Sequence, residues 1–353
     1  MVSQENTMNV GNDAAGYIPV EADFKFKHTD GELALDDNFA AQSFWKDVLI
    51  RYFKKISAVI GLILIIIITV FAIIGPGMND FSYSEQSLTQ KNFAPRVKGL
   101  EKLGIFDGSE GMKTTTGTKK INYYEEKGLD DLYYWFGSDN FGRDIWTRTW
   151  SGARVSLIIA AIIDMVIGMS YGLISGYFGG KVDMFMQRFL EVANGIPRLV
   201  IVTLLLLVLQ PGMLTIIFAL MLTEWVGMSR IARAEMLKLK EQEFVLASRT
   251  LGAGNFFIIF KEVLPNIIGP IITQVMFSIP TAIFTEAFLS FVGLGIPVPQ
   301  CSLGSLISEG FNSFTTHPYQ IIPPIVVMAL LMLSFNLVAD GLREALDPKL
   351  KEM

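Results

Sequence analysis

Three acidic residues lie inside strongly apolar stretches of the chain: Asp164, Glu224 and Glu286. An ionised carboxylate facing lipid is costly, so each is expected to face the bundle, a partner or water. As a set they are candidates for a substrate pathway, and packing or gating is the plainer role for each, above all for Glu286. Bond-breaking chemistry finds little support. No His-Glu-x-x-His and no pair of catalytic acids in adjacent apolar stretches accompanies them, and the one Gly-x-Ser-x-Gly run, Gly168-Met169-Ser170-Tyr171-Gly172, lies inside a long apolar stretch and not at a strand-to-helix turn. An intramembrane hydrolase is kept as an alternative. The single Cys301 excludes an intrachain disulfide, and with only His28 and His317 beside it no metal site is expected. The methionines, Met165, Met169, Met184 and Met186 among them, read as adaptable packing.

The elements that must carry these residues follow from composition. Of 353 residues, 51% are hydrophobic and 18% are charged, against roughly a quarter charged in soluble domains. The apolar residues come in blocks of about twenty, the length that crosses a bilayer. A soluble enzyme is excluded, and the lack of a basic block argues against a nucleic-acid partner. Residues 1–54 are polar, hold no early apolar run of the signal-peptide kind, and read as a cytoplasmic tail. Within it, Phe44, Trp45, Val48, Leu49 and Tyr52 predict an amphipathic helix on the membrane surface over 39–53.

Residues 55–76 read as the first transmembrane helix, with Arg51, Lys54 and Lys55 placing its N-terminal side in the cytoplasm. Residues 77–150 have no crossing run and are assigned outside. Residues 151–345 form a core with five more spans, near 155–177, 189–209, 214–228, 267–291 (interrupted at Pro280) and 321–338. Residues 346–353 are a cytoplasmic tail. The fold class is all-α, with six transmembrane helices and both termini cytoplasmic, because backbone polar groups in a bilayer must be satisfied internally. Gly168, Gly172 and Gly176 have the spacing of close helix packing within one chain.

A basic cytoplasmic loop over 230–265 separates the fourth and fifth spans. Residues 244, 247, 248 and 251 share one helical face. Gly252 then predicts a left-handed helix end, Asn255 a cap for a second short helix, and Pro265 its limit. The expected shape is two short helices at an angle, with an apolar edge facing the cytoplasm.

This loop resembles the EAA loop of ABC-importer permeases. Leu246-Ala247-Ser248 fills the triplet, with Gly252 and Leu264-Pro265 in register. Leu246 stands where Glu is usual, Glu243 lies one turn earlier, and Glu262 stands where Ile is usual. Phe136 to Asp144, with Gly137-Ser138-Asp139 and Gly142-Arg143-Asp144, resembles the external segment of the dipeptide, oligopeptide and nickel permeases. Ser151-Gly152-Ala153-Arg154, Glu286-Ala287-Phe288-Leu289-Ser290 and Asp340-Gly341-Leu342-Arg343 continue the match in order. It covers most of 135–350 and is nearest the C-type permease subunit of oligopeptide importers.

The resemblance implies type I ABC-importer permease architecture in the cytoplasmic membrane and ATP-driven import of oligopeptides by alternating access. It implies a homologous second permease, two cytoplasmic ATPase subunits and an external substrate-binding protein. It also implies that Glu243, Phe244, Val245, Leu246, Ala247, Ser248, Arg249 and Gly252 couple to the ATPases. The chain has no G-x-x-x-x-G-K-[ST] phosphate loop, so it is read as non-catalytic and without a cofactor; ATP and Mg belong to the ATPases. Nickel or another small solute on the same framework is the alternative cargo. An ion channel is the alternative class, though a channel would not need the long basic loop.

Overall fold

A computed structural model describes residues 44–114, 117–163, 167–210 and 212–347. The chain divides into two compact units. The first, residues 1–46, is described only from Phe44 onward, as the start of helix α1 (Phe44–Lys54). The rest of the tail, including the predicted start of the amphipathic helix at 39–43, lies outside the described residues, as do Asp164 and residues 348–353.

The second unit, residues 47–353, is mostly helical. Helix α2 (Ile56–Ile74) occupies the residues expected of the first span. Ile56, Ile60, Ile63, Ile67, Val70 and Ile74 form one exposed row at helical spacing, while Ala58, Gly61, Ile68 and Ala72 are buried on the other side. The two faces follow from residue size. Bulky branched side chains suit lipid, and small ones let the backbone approach a neighbouring helix. That neighbour is α14 (Ile322–Leu346). The last carbonyls of α2 would be orphaned in an apolar setting. Arg154 answers two of them, donating from Nε to Ala72 O at 2.9 Å and from Nη2 to Ile73 O at 3.1 Å.

The segment after α2 is not wholly irregular. It contains an antiparallel hairpin, β1 (Ser109–Thr114) with β2 (Gly117–Asn122), followed by the short helix α3 (Tyr123–Glu126). The all-α expectation is corrected at this point. Phe93, Tyr124 and Tyr134 make a small aromatic core beside the hairpin, and Tyr124 Oη donates to Ala94 O at 2.8 Å.

Helix α4 (Ile145–Ile163) starts about ten residues before the predicted second span. Asp144 caps it, accepting from the Thr147 amide at 2.7 Å and from Asn79 Nδ2 at 2.8 Å. Burial pushes the Asp144 carboxyl above the ordinary carboxylate range, against the pull of the Thr147 and Asn79 hydrogen bonds. Helix α5 (Met169–Phe178) follows. It packs on α9 (Trp225–Leu239) along the predicted glycine row. A Cβ on Gly172 would lie 2.2 Å from Ser229 O, so only glycine allows this approach.

The third span departs from expectation. Helix α6 (Gly180–Gly195) and helix α7 (Arg198–Leu209) meet at Ile196-Pro197 with a bend of 82°. Proline lacks the amide that would continue the ladder. The fourth expected span is extended: α8 (Met213–Thr223) runs into α9, which reaches Leu239. Helix α12 (Leu264–Leu289) passes through Pro280 without a break, another correction; the irregular turns lie at its two ends, over Ile258–Val263 and Ser290–Leu294. The loop after it carries helix α13 (Leu303–Asn312).

Among the described residues, four helical stretches are long and apolar enough to cross a membrane: Ile56–Gly77, Met213–Leu239, Asn255–Leu294 and Pro318–Leu346. The α6–α7 pair is a fifth if it is one span. The main core gathers α2, α4, α5, α9, α12 and α14 around Leu173, Met236, Ile267 and Leu331.

Candidate functional site

Helix α10 (Glu243–Thr250) and helix α11 (Asn255–Phe257) are the two short helices expected in the loop. Between them the chain makes a two-bond reversal. Ala253 N donates to Ser248 O and Gly252 N donates to Arg249 O, both at 3.0 Å. This is the Schellman pattern, which requires a left-handed residue between the two bonds. Gly252 supplies it with φ of +83°. A Cβ there would meet nothing within 4 Å, so glycine is needed for its backbone conformation and not for space.

Val245 anchors α10. It is fully buried in the main core, as are Ile258, Ile259 and Val263 of the following irregular turn. The predicted face of 244, 247, 248 and 251 points elsewhere. Phe244, Leu246 and Leu251 are exposed, and Leu251 is 88% exposed. Phe256, Phe257 and Phe260 add exposed rings beside them, with Phe256 and Phe260 stacked 6.4 Å apart. Glu243, Ala247 and Arg249 are exposed and Ser248 is half-buried. The loop therefore carries a pinned inner residue and an apolar outer surface.

Asn255 departs from its predicted role. The cap position belongs to Gly254, and no side chain caps α11. Asn255 Oδ1 instead accepts from Tyr177 Oη at 2.9 Å, across 78 positions of sequence. The Arg249 guanidinium lies 5.5 Å from the centre of the Tyr177 ring. The end of α5 thus holds both short helices. Nearby, Arg233 forms a two-pronged ion pair with Asp183, 2.6 Å to each oxygen, linking α9 to α6. Sequence reasoning missed Tyr177 and Asp183, because neither has a local signal.

Of the acidic candidates, Glu286 and Glu224 lie within the described residues and are held by different groups. Glu286 is fully buried on α12 among hydroxyls: Ser290 Oγ donates to it at 2.8 Å, Ser302 Oγ at 2.5 Å and Ser156 Oγ at 3.4 Å. It ties α12 to α4 and to the cap of α13. Glu224 lies at the junction of α8 and α9 and accepts from Arg198 Nη1 at 2.7 Å. Asp164 lies outside the described residues.

A second polar centre lies in the 136–144 segment that carries the family resemblance. Asp139 Oδ1 accepts from the amides of Phe141 at 2.8 Å and Arg143 at 3.0 Å. Its other oxygen takes Arg143 Nε at 2.6 Å and also Arg148. Glu309 on α13 takes Arg143 Nη2 and Arg148 Nη1, each at 2.7 Å. Both guanidinium groups are buried, and the two carboxylates balance their charge. This clasp locks the start of α4 to α13. Arg143 was visible in sequence; Arg148 and Glu309, 161 positions apart, were not.

Residues 168–352 match the family described as "Binding-protein-dependent transport system inner membrane component". Residues 43–95 match the "N-terminal TM domain of oligopeptide transport permease C". The chain is 39% identical to the oligopeptide transport system permease protein OppC of Bacillus subtilis over 313 residues, covering 88% of this chain and 91% of that protein. It is 40% identical to the dipeptide transport system permease protein DppC of the same organism, covering 88% and 87%. Against OppC of Escherichia coli the identity is 33%, covering 87% and 92%. Among solved structures, an inward facing form of the MetNI methionine ABC transporter matches 56% of this chain and 95% of its own at 16% identity and a TM-score of 0.45.

Proposed function

This chain belongs to the binding-protein-dependent transport system inner membrane components, and we propose that it is the C-type permease subunit of an ATP-driven importer of oligopeptides. It crosses the cytoplasmic membrane six times, with both termini in the cytoplasm and residues 77–150 outside. It works with a homologous second permease, two cytoplasmic ATPase subunits that bind ATP and Mg, and an external substrate-binding protein. Peptide is the cargo because relatives at 39–40% identity carry oligopeptide or dipeptide transport in their names.

The observation that carries the mechanism is the α10 surface. An apolar edge built from Phe244, Leu246 and Leu251 stays exposed while Val245 fixes the helix to the core. Such an edge suits docking into a cleft of a partner. ATP favours the closed ATPase pair, and that differential affinity shifts the permease between its two access states. A helix held by Val245, the Gly252 turn and Tyr177 moves as a rigid lever and passes the shift to α5 and α12. The coupling residues are Glu243 to Arg249 together with Gly252. Glu224 and Asp164 are assigned to the solute path, and Glu286 to the gate that joins α12, α4 and α13.

The test is purification with the neighbouring subunits followed by reconstitution in vesicles. Labelled tri-alanine is expected to accumulate only with ATP, the binding protein and both permeases present. Accumulation by the isolated chain without ATP would refute the reading.

A further inference from the structure

We propose that Arg198 and Glu224 form a station in the solute path, with Arg198 receiving a carboxylate of the passing peptide; this rests on the permease reading above. Glu224 joins α8, of 11 residues, to α9, of 15, within one stretch, Met213–Leu239, able to cross a membrane. At about 1.5 Å of rise per residue, roughly 17 Å of helix separates Glu224 from the start of α8 at Met213. The apolar core of a bilayer is about 30 Å thick, so the pair sits near its middle.

A charge at that depth faces protein or water, not lipid. Glu224 is largely covered, its side chain 9% exposed, whereas that of Arg198 is 52% exposed. The pair is therefore asymmetric: Glu224 positions the guanidinium and Arg198 presents it. Arg198 is also the first residue of α7, at the 82° break. Arg198 therefore stands at the N-terminal, positive end of that helix. A guanidinium offers five donors in a fork that fits a carboxylate, and the bond to Glu224 uses Nη1. A peptide C-terminus or an acidic side chain is the group that matches.

The experiment uses the full complex in vesicles, with labelled tri-alanine uptake expressed per assembled complex. Arg198→Gln keeps a donor for Glu224 but removes the charge, and is expected to lower uptake about tenfold, the order of one lost charge-assisted hydrogen bond. Arg198→Lys should retain uptake within about threefold. The exchange Arg198→Glu with Glu224→Arg keeps the ion pair, so it should assemble, yet remain at the level of Arg198→Gln. Parent-level uptake by either Arg198→Gln or the exchange would overturn the station. So would an Arg198→Lys variant no better than Arg198→Gln, because the site would then not be reading charge. A parent complex that accumulates no tri-alanine despite hydrolysing ATP would refute the peptide reading itself, a pattern distinct from any failure confined to the variants.

Discussion

The Tyr177 hydroxyl donates to Asn255 Oδ1 at 2.9 Å, tying the end of α5 to the first residue of α11. Tyr177 is buried, and its ring also lies beneath the Arg249 guanidinium. One side chain thus restrains both arms of the α10–α11 corner. Tyr177→Phe keeps the ring and loses the hydroxyl, at about 0.5–1.5 kcal/mol. Asn255→Ala removes the same bond from the other side. In a double-mutant cycle on coupled ATP hydrolysis the two effects should overlap, the pair costing little more than either alone. Full additivity would show that the bond does not restrain the corner.

Gly252 makes the second prediction. Space is not limiting there, so the effect of substitution comes from φ of +83°. Gly252→Val should cost on the order of 1–3 kcal/mol locally. The chain should still insert in the membrane, bind its ATPases less well and lose coupled hydrolysis. Ala253→Val, one residue on, should be milder. Equal co-purification of ATPase with Gly252→Val and with the parent chain would remove the role assigned to this turn.

Gly172 tests the α5–α9 contact by the opposite mechanism. A Cβ there meets Ser229 O at 2.2 Å, backbone that cannot step aside without moving the helix. Gly172→Val should lower the thermal midpoint of the purified complex, with an overpacking cost of about 1–3 kcal/mol or more. Gly227, on α9 with nothing near its Cβ position, is the control. Gly227→Ala should be neutral or slightly stabilising, because alanine favours the helix.

Topology has its own test. Lys98 is exposed in the segment assigned outside. A cysteine at Lys98, in a Cys301→Ser background, should react with an impermeant thiol reagent added to intact cells. Reaction only after permeabilisation would invert the assignment.

What the sequence made legible were local signals. The helix over the first apolar block, the glycine row of α5 and the left-handed Gly252 all follow from residue type and spacing, and the structure has them. What stayed hidden depended on distant partners. Hydropathy places the second span from about residue 155, yet α4 starts at Ile145, where Asp144 caps it and Asp139 and Glu309 neutralise Arg148. Pro197 sits between two helices that together pass for one span by length and composition, so the 82° bend is not apparent from hydropathy. Pro280, read as an interruption, lies within a helix that continues past it. Asn255 had the composition of a cap, and Tyr177, 78 positions away, took its side chain.

The most direct test of the coupling account is Leu251→Asp, scored by ATPase subunits retained on the purified permease pair. Leu251 is 88% exposed, so the change leaves the fold of this chain intact. A charge buried in a partner's apolar cleft is strongly unfavourable. The account predicts normal amounts of membrane-inserted chain and second permease, with the ATPases lost and peptide uptake abolished. A Leu251→Asp complex that keeps its ATPases at full stoichiometry and accumulates peptide like the parent would contradict it.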